Sequence, residues 1–233
     1  MSSRRRQRKL VVMRLTRARL VTIERVATRQ QAEFQFDLTG GHPALDLANT
    51  VSRRGDPERR KEHLENYGDL VSFALQDKIL SPGQVTDLLR AARQRYVQAE
   101  RSFRNTVEFR EAVYRVFAAV AKGRPAPVED VQKVNECTRE ALQHRKLIRR
   151  NASYSWEWSG EEKDAFDRIL WPIVQSAADL LTSGELKLVR WCEAPDCEWL
   201  FLDHSRNRSR RWCDMNSCGN RAKARRHYQR THD

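Results

Sequence analysis

The strongest constraint in this chain is the spacing of four cysteines near its C-terminus. Four residues separate Cys192 from Cys197, four separate Cys213 from Cys218, and fifteen lie between the two pairs. Two short pairs at that distance can close around one tetrahedral Zn²⁺ through four thiolates. Such a site has no open position, so it holds structure and offers a substrate nothing to bind. Pro195 and Asp196, inside the first pair, suit a tight knuckle that aims both sulfurs at one point. His204 and His227 are second-choice ligands, because the cysteines complete the set alone. A module this small has little core, so the metal supplies much of its folding energy. Disulfide pairing of the same residues is the alternative. It predicts loss of structure under reductant, whereas a zinc site survives reductant and fails under a chelator.

The charge around these cysteines suggests what the structure is for. Trp199 to Leu202 reads as a strand, residues 205–209 as a turn, and residues 210–212 as a strand returning to Cys213. Arg206, Arg208, Arg210 and Arg211 lie in that turn and returning strand. From Met215 or Cys218 to Arg230 the chain reads as a helix carrying Arg221, Lys223, Arg225, Arg226 and Arg230, and Asp214 is the one acid between Ser205 and Thr231. Two ligands in a hairpin and two at a helix start give a treble-clef-like finger. Arg221 and Arg225 share one helix face, Lys223 and Arg226 another. A helix pinned by metal with cations on more than one face suits a phosphate-lined groove. Asn220 is placed to read an adenine edge and Arg221 a guanine. At least one arginine, Arg221 or Arg225, is expected to offset the thiolates, whose charge exceeds that of the metal. The full chain of 233 residues carries 44 Lys and Arg against 31 Asp and Glu, a formal net charge of +13. A balance this basic points to a polyanion. Double-stranded DNA is the first expectation, and RNA on the same surface is the alternative.

The rest of the chain reads as mostly α with a small antiparallel β-sheet, an α+β fold. Residues 1–30 hold ten basic side chains against one acid, Glu24. They are read as a disordered basic tail; a transit-like leader, or a true start at Met13, are the other readings. Residues 31–187 form the expected helical domain and residues 188–233 the finger. Within the helical domain, alternation over residues 34–38 predicts a strand. Helices are predicted from Ala44 towards Val51, over residues 66–80 with Asn66 as cap, over residues 82–93 with Ser81 as cap, and over residues 128–143. Between Arg93 and Val107 either one bent helix or two helices fit. Lys146 to Ile148 and Tyr154 to Trp158 predict a hairpin, and residues 161–181 one long amphipathic helix. Cys137 sits alone in a helical stretch with no base beside it and reads as a half-buried helix residue. No apolar stretch is long enough to cross a bilayer, and no signal peptide is recognisable.

The run Cys218-Gly219-Asn220-Arg221, with Cys192, Cys197 and Cys213, resembles the CGNR zinc-finger family, and so does the stretch from Phe201 to Cys213. Gly40-Gly41-His42-Pro43 and the residues on to Thr50 resemble the start of the ABATE-type domain that precedes this finger. Trp156-Glu157-Trp158, Leu170-Trp171-Pro172 and residues 177–181 are similar to the same domain. The resemblance spans about Gly40 to His227. It implies one structural Zn²⁺, a bacterial, stress-induced transcription regulator, and a finger proposed to bind DNA. A cytoplasmic, nucleoid-associated protein that is not an enzyme follows as an expectation; no hydrolase elbow, phosphate loop or open metal site supports catalysis. His42, Asp46 and Asn49 allow two readings. They line a pocket for a small effector, or they cap a helix and satisfy buried backbone groups, the commoner use of such residues. Trp156, Trp158 and Trp171 are read as core packing rather than a ligand platform.

Overall fold

Pro43 presets φ for a helix start, and the run behind it is apolar but for Asp46, whose carboxylate turns back onto the preceding turn rather than to solvent. The resulting helix α1 (Pro43–Ala48) is therefore central: Ala44 to Ala48 are all buried. The structure, a computed structural model, describes residues 34–159 and 162–232. After α1 come a short ladder β1 (Val51–Ser52) and β2 (Lys61–Glu62), then helices α2 (Tyr67–Gln76), α3 (Pro82–Gln94), α4 (Tyr96–Ala121) and α5 (Val128–Gln143). A hairpin follows, β3 (Arg145–Arg150) with β4 (Ser153–Trp158), then a 3₁₀ segment (Glu162–Ile169) and α6 (Leu170–Thr182). The C-terminal part holds the strands β5 (Val189–Trp191) and β6 (Leu200–Leu202), a π-turn (Met215–Gly219) and helix α7 (Asn220–His232).

Local chemistry sets the helix ends. Asn66 and Asp69 form a reciprocal capping box on α2, and Ser81 and Gln84 form another on α3, with Pro82 in its first turn. Arg95, at φ −123° and ψ 52°, leaves helical geometry and separates α3 from α4. Two helices, not one bent one, thus fill this region. Helix α4 is the axis of the core. Ala99, Phe103, Thr106, Phe109, Arg110, Val113 and Phe117 recur on its buried stripe, facing α1, α2 and α5, while α6 closes over α1 and α5.

The core contains one large cation. Arg110 is fully buried; its guanidinium meets both oxygens of Glu62, at 2.6 and 2.7 Å, and its Nε donates to Glu111 at 3.0 Å. A fourth bond, from Nη1 to Thr50 Oγ1 at 3.2 Å, ties the α1–β1 link to α4. A buried guanidinium persists only when its donors are matched this fully.

Several expectations are corrected. Residues 34–38 form no strand: the Phe36 N–H goes to the Gln76 side chain at 2.8 Å, and Phe36 packs edge-on against Phe73. Among the described residues the small strands thus make three separate two-stranded ladders rather than one sheet. The helix expected over residues 161–181 is broken near Leu170, because Pro172 has no N–H for the carbonyl of Arg168 and its ring crowds that carbonyl. Helix α1 stops at Ala48, short of Val51, and α2 stops at Gln76, where Lys78 adopts a left-handed φ of 60°. The hairpin expected from Lys146–Ile148 and Tyr154–Trp158 is present and longer, pairing Arg145–Arg150 with Ser153–Trp158 and turning at Asn151 with φ 53°. The basic segment 1–30 lies outside the described residues. From Phe36 onward the chain is one compact unit that includes the cysteine module.

Candidate metal centre and basic helix

Strand alternation divides the module between two cores. On β6, Leu200 and Leu202 turn into the main core, while Phe201 turns the other way and packs with Cys192, Ala194, Cys197, Cys213 and Cys218. Trp199 and Trp212 flank that second cluster. The knuckle closes through the Cys197 N–H to Ala194 C=O bond at 3.0 Å and the Cys192 N–H to Trp199 C=O bond at 2.8 Å. The second pair is set by Asp214, whose carboxylate accepts the Ser217 N–H at 2.7 Å and starts the π-turn that carries Cys218.

These turns bring the four sulfurs within 4.8 Å of one another, all buried. The Cys197–Cys213 and Cys213–Cys218 separations are both 3.6 Å. A disulfide needs about 2.05 Å, so these are free thiols. A tetrahedron with metal–sulfur bonds of about 2.3 Å has edges of about 3.8 Å, so the set fits a tetrahedral, thiophilic cation. Without a cation, four such groups cannot ionise together. Hydrogen bonds from the other three sulfurs hold Cys192 down as the thiolate, and the same bonds push Cys197 and Cys213 up. A bound cation would relieve that conflict by holding all four as thiolates.

The two second-choice histidines are not in the cluster, since the sulfurs complete it. Arg221 is the arginine that offsets the thiolates. Its Nη2 donates to Cys218 Sγ at 3.1 Å and lies 3.7 Å from Asp196 on the knuckle. Its guanidinium is thus engaged at the centre.

Two other basic residues also have structural partners. Arg210 donates to the carbonyls of Trp212 and Cys213 and covers the Phe201 ring at 4.4 Å. Arg211 pairs with Glu193, whose hydrogen bond and then charge raise its pKa further. The expected returning strand at residues 210–212 does not form. Buried Asp203 instead organises the loop, accepting from Ser205 N–H and Oγ–H and from Arg210 N–H. The strand partner of β6 is β5, which precedes the knuckle.

Helix α7 leaves the centre directly after Cys218. Asn220 donates to the Asn216 carbonyl at 3.2 Å, at the first turn. Lys223, Arg225, Arg226 and Arg230 are exposed, as are Arg206 and Arg208 in the loop. No acid occurs from Asn220 to His232. Between α7 and the knuckle lies an open cleft of about 270 Å³, lined by Trp212, Pro195, Arg211, Arg225, Arg226 and neighbours. Arg211 and Arg226 both approach the Trp212 ring, at 5.4 and 5.8 Å.

The module is joined to the helical domain by bonds with no sequence signature. Asn49, on the last turn beyond α1, donates to Leu200 C=O at 2.8 Å and accepts Leu200 N–H at 2.9 Å. Leu202 N–H reaches Gly40 C=O at 3.0 Å, and Trp199 Nε1 donates to Val51 C=O at 2.8 Å. Gly55 lies so close to the knuckle that a Cβ there would sit 2.4 Å from Pro195 O, so only glycine fits. Asp46 folds the Gly40–Gly41 turn over α1 by accepting the N–H groups of Gly40 at 2.9 Å and His42 at 3.1 Å. Burial, then the nearby Asp77, raise the Asp46 pKa to about 7 despite those bonds. Burial lowers that of His42. Asp46 and Asn49 thus spend their polar atoms on backbone groups.

Residues 41–184 match the family model ABATE, described as "Putative stress-induced transcription regulator", and residues 189–231 match the CGNR zinc finger model. A comparison with curated proteins found no match.

Proposed function

The chain belongs to the ABATE family and ends in a CGNR zinc finger, and from that premise we propose that it is a transcription regulator whose finger binds double-stranded DNA around one structural Zn²⁺. Cys192, Cys197, Cys213 and Cys218 would hold the ion, which supplies no chemistry beyond fixing the fold. The observation that carries the reading is α7: a helix rooted at the sulfur cluster, with exposed cations and no acid along its length. At about 1.5 Å per residue it is about 20 Å long, and a helix of this width fits the major groove. Arg210, Arg211 and Arg221 have structural partners, so phosphate contact falls to Arg206, Arg208, Lys223, Arg225, Arg226 and Arg230. About six such contacts give a log–log salt slope of about −5 for duplex binding. A slope near zero, or no duplex binding, would sink the reading.

Competition with structured RNA separates the alternative partner: preference for RNA by more than about tenfold, about 1.4 kcal/mol, assigns the same surface to RNA. Among the described residues no helix is long and apolar enough to cross a membrane; a DNA role would put the protein in the cytoplasm at the nucleoid. A small effector for the helical domain would enter the cleft of about 160 Å³ between α5 and α6, beside Lys133, Cys137 and Trp171. Thermal-shift screening against metabolites tests that role.

A further inference from the structure

We propose that the β3–β4 hairpin is a second nucleic-acid contact, taking an unpaired stretch of DNA whose bases stack on Tyr154 and Trp156 and whose phosphates meet Arg145 and Arg149. The surface lies in the helical domain, outside the finger, and the proposal does not depend on the finger binding duplex DNA.

Register gives the hairpin two unlike faces. Arg145 lies opposite Trp158, Leu147 opposite Trp156, and Arg149 opposite Tyr154. Directly opposed residues share a face, so one face carries three aromatic rings, one leucine and two arginines. The base of this face is anchored: Trp158 lies 6.2 Å from Trp171 in the core, and Trp171 stacks on His144 at 3.9 Å. Its outer part is uncovered, with Leu147 57%, Trp156 58% and Tyr154 67% exposed. Rings this exposed and this close are a surface that a soluble protein keeps for a partner.

The charges say which partner. The hairpin has four basic side chains and one acid, Glu157, which is paired with Arg150 on the opposite face. Arg145 lies against both indoles, 5.1 Å from Trp156 and 5.2 Å from Trp158, so it holds Trp156 in a fixed attitude. Arg149 is pinned at the tip by its Nε bond to Asn151 O at 3.1 Å. A second copy of this chain would bring these arginines against themselves, and a membrane surface offers no flat rings. A polynucleotide offers both an anionic backbone and π-faces. Those faces are hidden inside a duplex and open in a single strand, where aromatic platforms and arginines take them. Tyr154 and Trp156 are two residues apart, about 6.8 Å along the strand, twice the 3.4 Å spacing of stacked nucleotides. Each ring can thus hold its own base in a strand pulled open. Tyr154 Oη is the one side-chain hydroxyl on this face that can meet a 2′-hydroxyl, and no carboxylate or carboxamide stands beside it, so recognition rests on the rings and arginines, which a deoxyribose strand satisfies.

The test uses the full, metal-loaded chain and fluorescence anisotropy with two probes, a labelled oligothymidine of about 15 nucleotides and a duplex of about 20 base pairs. Trp156→Ala is expected to weaken oligothymidine binding by about 5- to 150-fold, the range for loss of one stacked base. Duplex binding should stay within about twofold. Trp156→Phe keeps a ring and should recover most of the loss, which separates stacking from misfolding. The double variant Arg225→Ala/Arg226→Ala should show the reverse pattern, so failure of the finger reading and failure of this one are distinguishable. Equal loss on both probes, no loss on either, loss confined to an oligouridine RNA, or a shift from dimer to monomer in Trp156→Ala with oligothymidine binding intact would each overturn the proposal.

Discussion

Replacing Asn49 by alanine tests how the finger is held to the helical domain. Leu200 faces Trp191 across β5–β6, and Cys192 N–H already bonds Trp199 C=O. In an antiparallel pair hydrogen-bonded and non-bonded positions alternate, so the N–H and C=O of Leu200 fall on the outer edge of β6. The Asn49 carboxamide satisfies both, as a neighbouring strand would, at 2.9 and 2.8 Å. Leu200 is fully buried and Asn49 is 2% exposed, so water cannot replace the amide. Each orphaned group costs about 1–3 kcal/mol, and partial relaxation leaves a net loss of about 3 kcal/mol. For a chain of this size that lowers the melting temperature by about 6–12 °C. Asn49→Asp keeps the acceptor but turns a carboxylate oxygen on the Leu200 carbonyl, and should be no better than alanine. Differential scanning fluorimetry in reducing buffer reads the shift. Metal content should not change, because no ligand is lost. A fall in Tm below about 2 °C in both variants would refute the claim that this amide docks the finger.

Arg110→Met should cost about 3 kcal/mol in urea denaturation, near the lower end for breaking a buried pair because Glu62 and Glu111 reach solvent. The raised Asp46 pKa makes a signed prediction. Its folded value of about 7 lies above the ordinary 3.8, so its contribution to stability is complete below about pH 4 and is lost as pH rises through 7, by up to about 4 kcal/mol. Half-buried Asp77, raised by burial to about 6, acts in the same direction. Asp46→Asn should therefore flatten the fall in urea midpoint between pH 4 and 7 relative to the parent. Burial pushes Glu111 up, but the Arg54 bond and the charges of Arg54, Arg110 and Arg60 outweigh it and bring it to about 2, so its contribution is lost only as pH falls from 4.5 towards 2. Arg221→Ala should weaken metal retention about 10- to 100-fold in a chelator competition, as expected for a group hydrogen-bonded to a ligand sulfur.

The features that sequence reasoning recovered are those set by short-range physics. Cysteine spacing alone identified the four sulfurs that meet, and side-chain caps marked the starts of α2 and α3 at Asn66 and Ser81. Errors arose where distant residues decide. Phe34 to Leu38 alternates as a strand should, but none of the described strands pairs with it, and the Gln76 side chain, forty residues away, accepts the Phe36 N–H. The docking of Leu200 on Asn49 spans 151 residues and involves an ordinary asparagine. The arginines of the finger look equivalent in one dimension; only the fold separates Arg210, Arg211 and Arg221, which have partners, from Arg225 and Arg230, which project. The 3₁₀ segment before α6 is the exception, since Pro172 was visible and its effect on the carbonyl four residues back follows from ring geometry. The aromatic face of the hairpin was read as core because Trp158 and Trp171 do pack there, while register and exposure set Trp156 and Tyr154 apart.

Native mass spectrometry of the purified, reduced full-length protein tests the central claim most directly. A sulfur-only site that roots α7 predicts one Zn²⁺ per chain, lost together with helical protection of residues 220–232 when Cys213 is replaced by serine. Protein that carries no zinc under reducing conditions yet keeps that helix ordered would contradict the account.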